Sequence, residues 1–98
     1  MRTLEGQAAI VTGAARRMGR DIALKLAEAG ASVAVHYSQS AEEARQTAGE
    51  VEQRGVKSFL YRADVSRREE ARGLVETAAR HFGRLDILVN NEIGRAHV

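Results

Sequence analysis

At 98 residues, with no Cys and a net charge of +2, the chain has room for one small domain and no disulfide framework, thiolate nucleophile or sulfur-ligated zinc. Its thirteen Arg and two Lys are interspersed with acids rather than gathered into the one-sided basic footprint that nucleic acid requires, so no nucleic-acid partner is expected. No apolar run approaches the roughly 20 residues of a bilayer span, and Met1 to Gly6 lacks the apolar core of a secretory signal, so a cytoplasmic protein away from membranes is expected.

Taken in order, the chain alternates short apolar runs with longer periodic ones. Gln7–Thr12 reads as a strand, and 13–17 as a turn. Met18–Ala29 carries Ile22, Ala23, Leu26 and Ala27 at helical spacing and stops at Gly30. Ser32–Tyr37 is a second strand. After a polar turn, Ser40 stands as N-cap of a helix over Ala41–Arg54, with Glu42 and Glu43 complementing its dipole. Val56–Arg62 is a third strand. Ser66 is placed to cap a helix from Arg67 to about Phe82, ended by Gly83, and Asp86–Asn90 is a fourth strand. Strands alternating with helices of this length predict an α/β fold with a doubly wound parallel sheet of the Rossmann type. Right-handed crossovers give the strand order 3-2-1-4.

The first strand runs into Thr12-Gly13-Ala14-Ala15-Arg16-Arg17-Met18-Gly19, which opens a helix. A strand, a glycine turn and a helix N-terminus form the setting of a dinucleotide fingerprint. Unpaired N–H groups and partial positive charge at the helix start favour a pyrophosphate. Gly13 permits the sharp turn and Gly19 lets helix and strand pack closely; both glycines also suit tight packing alone.

With three further motifs, this turn resembles that of the short-chain dehydrogenase/reductase family, whose turn reads T-G-x-x-x-G-x-G. Ala63-Asp64-Val65 is similar to the family's third-strand exit, where the resemblance implies an Asp that hydrogen-bonds adenine. Asp86 to Asn91 resembles its fourth strand running into N-N-A-G. The likeness spans about Leu4 to Asn91 and implies a dinucleotide-binding part over residues 1–91. One position departs: Arg17 replaces the middle glycine. That form, together with His36-Tyr37-Ser38-Gln39-Ser40-Ala41, resembles the pteridine reductase subgroup, although a second His and an Arg common there are Ser38 and Gln39 here.

In such folds an acid at the end of strand two pairs with the ribose 2′-hydroxyl of NAD and repels the 2′-phosphate of NADP. This chain has no acid there before Glu42. Arg17 offers a guanidinium suited to phosphate, and Ser38 and Ser40 offer hydroxyls, so the expected cofactor is NADP(H). The candidate cofactor-binding residues are Gly13, Arg16, Arg17, Met18, Gly19, His36, Tyr37, Ser38, Ser40, Asp64, Val65 and Asn90. Several have a second reading. Arg16 and Arg17 also make a solvated basic pair, His36 an ordinary strand end, Tyr37 a packing residue, Asp64 a helix-capping acid and Asn90 a turn cap.

Family catalysis, as the resemblance implies, uses a Ser and a Tyr with a Lys four residues later. Tyr37 and Tyr61 are followed at that spacing by Ala41 and Val65, so no catalytic residue is assigned. The three His are too far apart for a metal-ligand pattern. Residues 92–98, EIGRAHV, break the N-N-A pattern and translate a string resembling a common sequencing adapter, so they are expected to be a non-native read-through tail. The expected whole is the NADP(H)-binding portion of an oxidoreductase. Its parent would reduce a carbonyl or a pterin C=N bond and form a homo-oligomer. The fragment would be inactive, truncated after the fourth strand and prone to aggregate along the Ile87–Asn90 edge. The alternative is a stand-alone nucleotide-binding or sensor module.

Overall fold

The computed structural model describes residues 2–91. Its elements are β1 (Ala8–Val11), α1 (Arg17–Glu28), β2 (Ser32–Tyr37), α2 (Ala41–Glu52), β3 (Ser58–Arg62), α3 (Arg68–Phe82) and β4 (Ile87–Val89). The four strands form one sheet in the order β3-β2-β1-β4, with every pair parallel. This is the expected Rossmann-type architecture and strand order.

Helices on both faces explain why β1 reads as an unbroken apolar run: all four of its residues are buried. Alternate residues of the strands then serve opposite layers. Val11, Val33 and Val35 pack with Ala23 and Ala27 of α1 and with Ala44, Ala48 and Val51 of α2. Ile10 and Ala34 turn to the other face, where Leu74 and Ala78 of α3 cover them with Phe59, Tyr61 and Phe82 alongside. The alanines keep the helix stripes thin, so α1 lies close to the central strands. Tyr61 is packed under α3, and a Cβ at Gly73 would stand 2.8 Å from its hydroxyl oxygen.

The ends of the elements differ from the sequence pattern. Neither Ser40 nor Ser66 makes a side-chain cap bond. The N-cap of α3 is Arg67, because the Ser66 hydroxyl bonds Asp64 Oδ1 at 2.6 Å and its N–H bonds the same oxygen at 3.1 Å. This turn uses up the serine that would otherwise reach into the helix. Helix α2 stops at Glu52, two residues before Arg54, and β3 starts at Ser58 rather than Val56.

Strand β4 is seated at its start. The Asp86 N–H donates to Ala8 O at 2.9 Å, and Asp86 Oδ2 accepts the Ala8 N–H at 2.9 Å. Arg84 grips both carboxylate oxygens at 2.8 Å. The Arg84 hydrogen bonds, followed by that from Ala8, hold the Asp86 carboxyl below the usual carboxylate range. At its other end β4 brings Asn90 beside Thr12, so the carboxyl ends of the strands open onto one edge. No helix among the described residues is long and apolar enough to cross a membrane.

Candidate nucleotide-binding site

The turn after β1 is held from several sides. Gly13 adopts a φ of 64°, which suits glycine, and its N–H donates to His36 Nδ1 at 3.0 Å. The Ala14 N–H donates to the His36 carbonyl at 2.9 Å. Asn91 Nδ2 donates to Gly13 O at 3.3 Å. From α2, the buried Thr47 hydroxyl donates to Ala15 O at 3.2 Å. The requirement at Gly19 is steric: a Cβ there would overlap Gly13 O and lie 2.7 Å from Asn91 Nδ2. Its bare Cα is what lets α1 rise against the turn.

Helix α1 therefore starts at the end of the buried central strand, with no side-chain cap and no acid in its first turn. By contrast, α2 and α3 begin with Glu42 and Glu43, and with Glu69 and Glu70. The first N–H groups of a helix have no intrahelical acceptor, so those of α1 stand ready for an anion. Arg16, its N-cap, pairs with Glu43 at 3.4 Å. Arg17 is exposed, takes part in no ion pair among the described residues and sits at φ 56°, in the left-handed region. Met18 is 66% exposed beside it.

Across the strand ends lies a cleft of about 870 Å³. Thr12, Ser38, Asp64, Val65 and Asn90 line its strand-end side, with Gln39 and Arg62. Ala71, Leu74 and Val75 of α3 form its apolar wall. The Thr12 hydroxyl lies 3.2 Å from Asn90 Oδ1, which ties β1 to β4 at the cleft floor. Strand order reverses between these two strands, where ligands of open α/β sheets bind.

The candidate residues thus fall into groups. Ser38, Asp64, Val65 and Asn90 line the cleft. Gly13, Arg16, Arg17, Met18 and Gly19 build the turn and helix start beside it. Tyr37 packs on the α1/α2 core, and Ser40 precedes α2 without lining the cleft. His36 is fully buried, its ring engaged by Gly13 and by Ala63 O at 2.8 Å. Thr47, which holds the turn, and Gln39 and Arg62, which line the cleft, are not among the candidates the sequence offers. A threonine on a helix face and polar residues after a strand carry no signal of their own without the packing that places them.

No group of three metal-ligating side chains occurs among the described residues. The tail assigned to residues 92–98 lies outside the described residues.

The family model for short chain dehydrogenases matches residues 7–94. An uncharacterized oxidoreductase of Methylorubrum extorquens is 47% identical over 91 residues, covering 93% of this chain and 37% of the relative. The 3-oxoacyl-[acyl-carrier-protein] reductase of Staphylococcus aureus is 45% identical over 85 residues, covering 87% of this chain and 35% of the relative. Among solved structures, a putative dehydrogenase from Burkholderia cenocepacia with bound NADP superposes with a TM-score of 0.86 at 32% identity, over 92% of this chain and 35% of its own. An NAD+-bound xylitol dehydrogenase gives 0.87 at 33%, over 93% and 35%. The chain thus spans little more than a third of the relatives it matches.

Proposed function

The chain belongs to the short-chain dehydrogenase family, and on that basis we propose that it is the NADP(H)-binding portion of an oxidoreductase. Its site residues bind the dinucleotide. The turn from Gly13 to Gly19 and the uncapped start of α1 receive the pyrophosphate. Asp64 and Val65 border the adenine, while Arg17 and Ser38 meet the ribose 2′-phosphate. When bound, the nicotinamide supplies the hydride.

The observation that carries the choice of NADP(H) is the exit of β2. Tyr37, Ser38, Gln39 and Ser40 supply no carboxylate at the end of β2, and Arg17, which makes no ion pair among the described residues, belongs to the turn after the neighbouring strand β1. The close approach of Gly19 to Gly13 supports the reading by setting the start of α1 directly against the turn. Relatives of known cofactor divide between NADP and NAD+, so the preference rests on this chain's own residues. Installing an acid tests it. Ser38→Asp should weaken NADPH binding by at least about tenfold, the loss of one charge-assisted contact, while NADH binding is kept. Equal effects on the two cofactors would remove the basis for the preference.

For the whole protein we propose hydride transfer to a carbonyl. The resemblance of the Arg17-containing turn to the pteridine reductase subgroup extends the proposed acceptor to a pterin C=N bond.

A further inference from the structure

His36 stands at the centre of the site without facing the cleft. Three of its atoms are committed. Nδ1 accepts the Gly13 N–H at 3.0 Å, the carbonyl accepts the Ala14 N–H at 2.9 Å, and Nε2 meets Ala63 O at 2.8 Å. The pattern assigns the proton to Nε2, since Nδ1 is an acceptor and Ala63 O has none to give. One buried ring therefore bridges the turn after β1 to the exit of β3. The residue after Ala63 is Asp64, which lines the cleft.

We propose that His36 is a positioning residue for the dinucleotide: its ring sets the phosphate turn, through Gly13, and the adenine border, through Ala63, at a fixed separation. The assignment rests on the dinucleotide reading of the site. The Gly13 N–H turns inward to the ring and is not available to a ligand, so the anion is left to the first N–H groups of α1. Where those groups stand depends on where Gly13 is held, because Gly19 packs directly on the Gly13 carbonyl. Without the ring, the Gly13 N–H loses its acceptor beneath the turn and the segment must shift to find another. An apolar residue would fill the volume but hold neither neighbour.

Three substitutions separate these contacts. The side-chain oxygen of Asn stands where Nδ1 does, so His36→Asn keeps the Gly13 acceptor. The longer Gln reaches toward the Nε2 position, so His36→Gln keeps only the Ala63 link. His36→Leu keeps volume alone. In the 98-residue chain, amide hydrogen exchange at Gly13 should be slow in the wild type and in His36→Asn, and fast in His36→Leu and His36→Gln. NADPH affinity should follow the same division, within about threefold of wild type for Asn and roughly tenfold weaker for the other two.

A packing role alone predicts that Leu binds as well as the wild type, and that result would overturn the proposal. So would an Asn variant as weak as Leu, or fast exchange at Gly13 in the wild type. If Leu does not fold, the comparison of Asn with Gln decides. If the wild-type chain binds no NADPH, the dinucleotide reading fails, while the Gly13 exchange pattern still decides whether the ring holds the turn.

Discussion

Arg17 combines two properties that pull in opposite directions. Its φ of 56° lies where a side chain costs about 1–2 kcal/mol and glycine nothing, which gives a physical reason for a glycine at this place in related turns. The guanidinium kept at that cost is exposed and has no ion-pair partner among the described residues. Arg17→Gly should therefore raise stability by about 1 kcal/mol, read as a higher urea midpoint, while lowering the NADPH-to-NADH affinity ratio by about tenfold or more. Arg17→Asn tolerates the left-handed region better than most residues, so it separates backbone relief from charge. A ratio unchanged in both variants would remove Arg17 from the 2′-phosphate site. Gly13 and Gly19 were legible as a motif, but the reason for Gly19, a Cβ overlapping Gly13 O, needs the folded turn. His36 was legible only as a strand-end residue. A ring pointing inward to a neighbouring N–H leaves no periodic or spacing signal.

Elements were read well where burial dictates pattern. The all-buried β1 and the alanine stripes of α1 and α2 follow from parallel strands covered on both faces. Element ends were read less well, because they depend on local competition for hydrogen bonds. Ser66 caps nothing because Asp64 takes its hydroxyl. Asp86 reads as the first residue of a strand, yet its carboxylate is the clamp that seats β4 on Ala8. Its carboxyl is held low by Arg84 first and by the Ala8 N–H second. A carboxyl whose folded value is depressed adds stability above its unfolded range and loses it as pH falls through the folded value. The urea midpoint of the wild type should therefore fall on acidification through and below the usual carboxylate range. Asp86→Asn should start lower at neutral pH and decline less. Parallel pH profiles for the two proteins would show that the clamp does not contribute.

At the scale of the molecule, the sheet and its strand order follow from the alternation of strands and helices, and the described chain agrees with both. The cleft was not legible, since it is assembled from the ends of all four strands and the flank of α3. Its wall leaves Leu88 57% and Val75 37% exposed next to β4, which has a sheet neighbour on one side only among the described residues. Exposed apolar side chains at a strand edge favour association. Sedimentation of the 98-residue chain should show association that grows with concentration, and Leu88→Lys should reduce it. Identical profiles would place the association elsewhere.

Dinucleotide binding by the turn and cleft is tested most directly by calorimetric titration of the 98-residue chain with NADPH and NADH at one ionic strength. The predicted result is saturable one-site binding, with NADPH tighter by about tenfold or more, as one charge-assisted contact to the 2′-phosphate requires. Equal affinities would contradict the role given to Arg17 and the acid-free exit of β2. Absence of binding to either cofactor would contradict the reading of the turn itself.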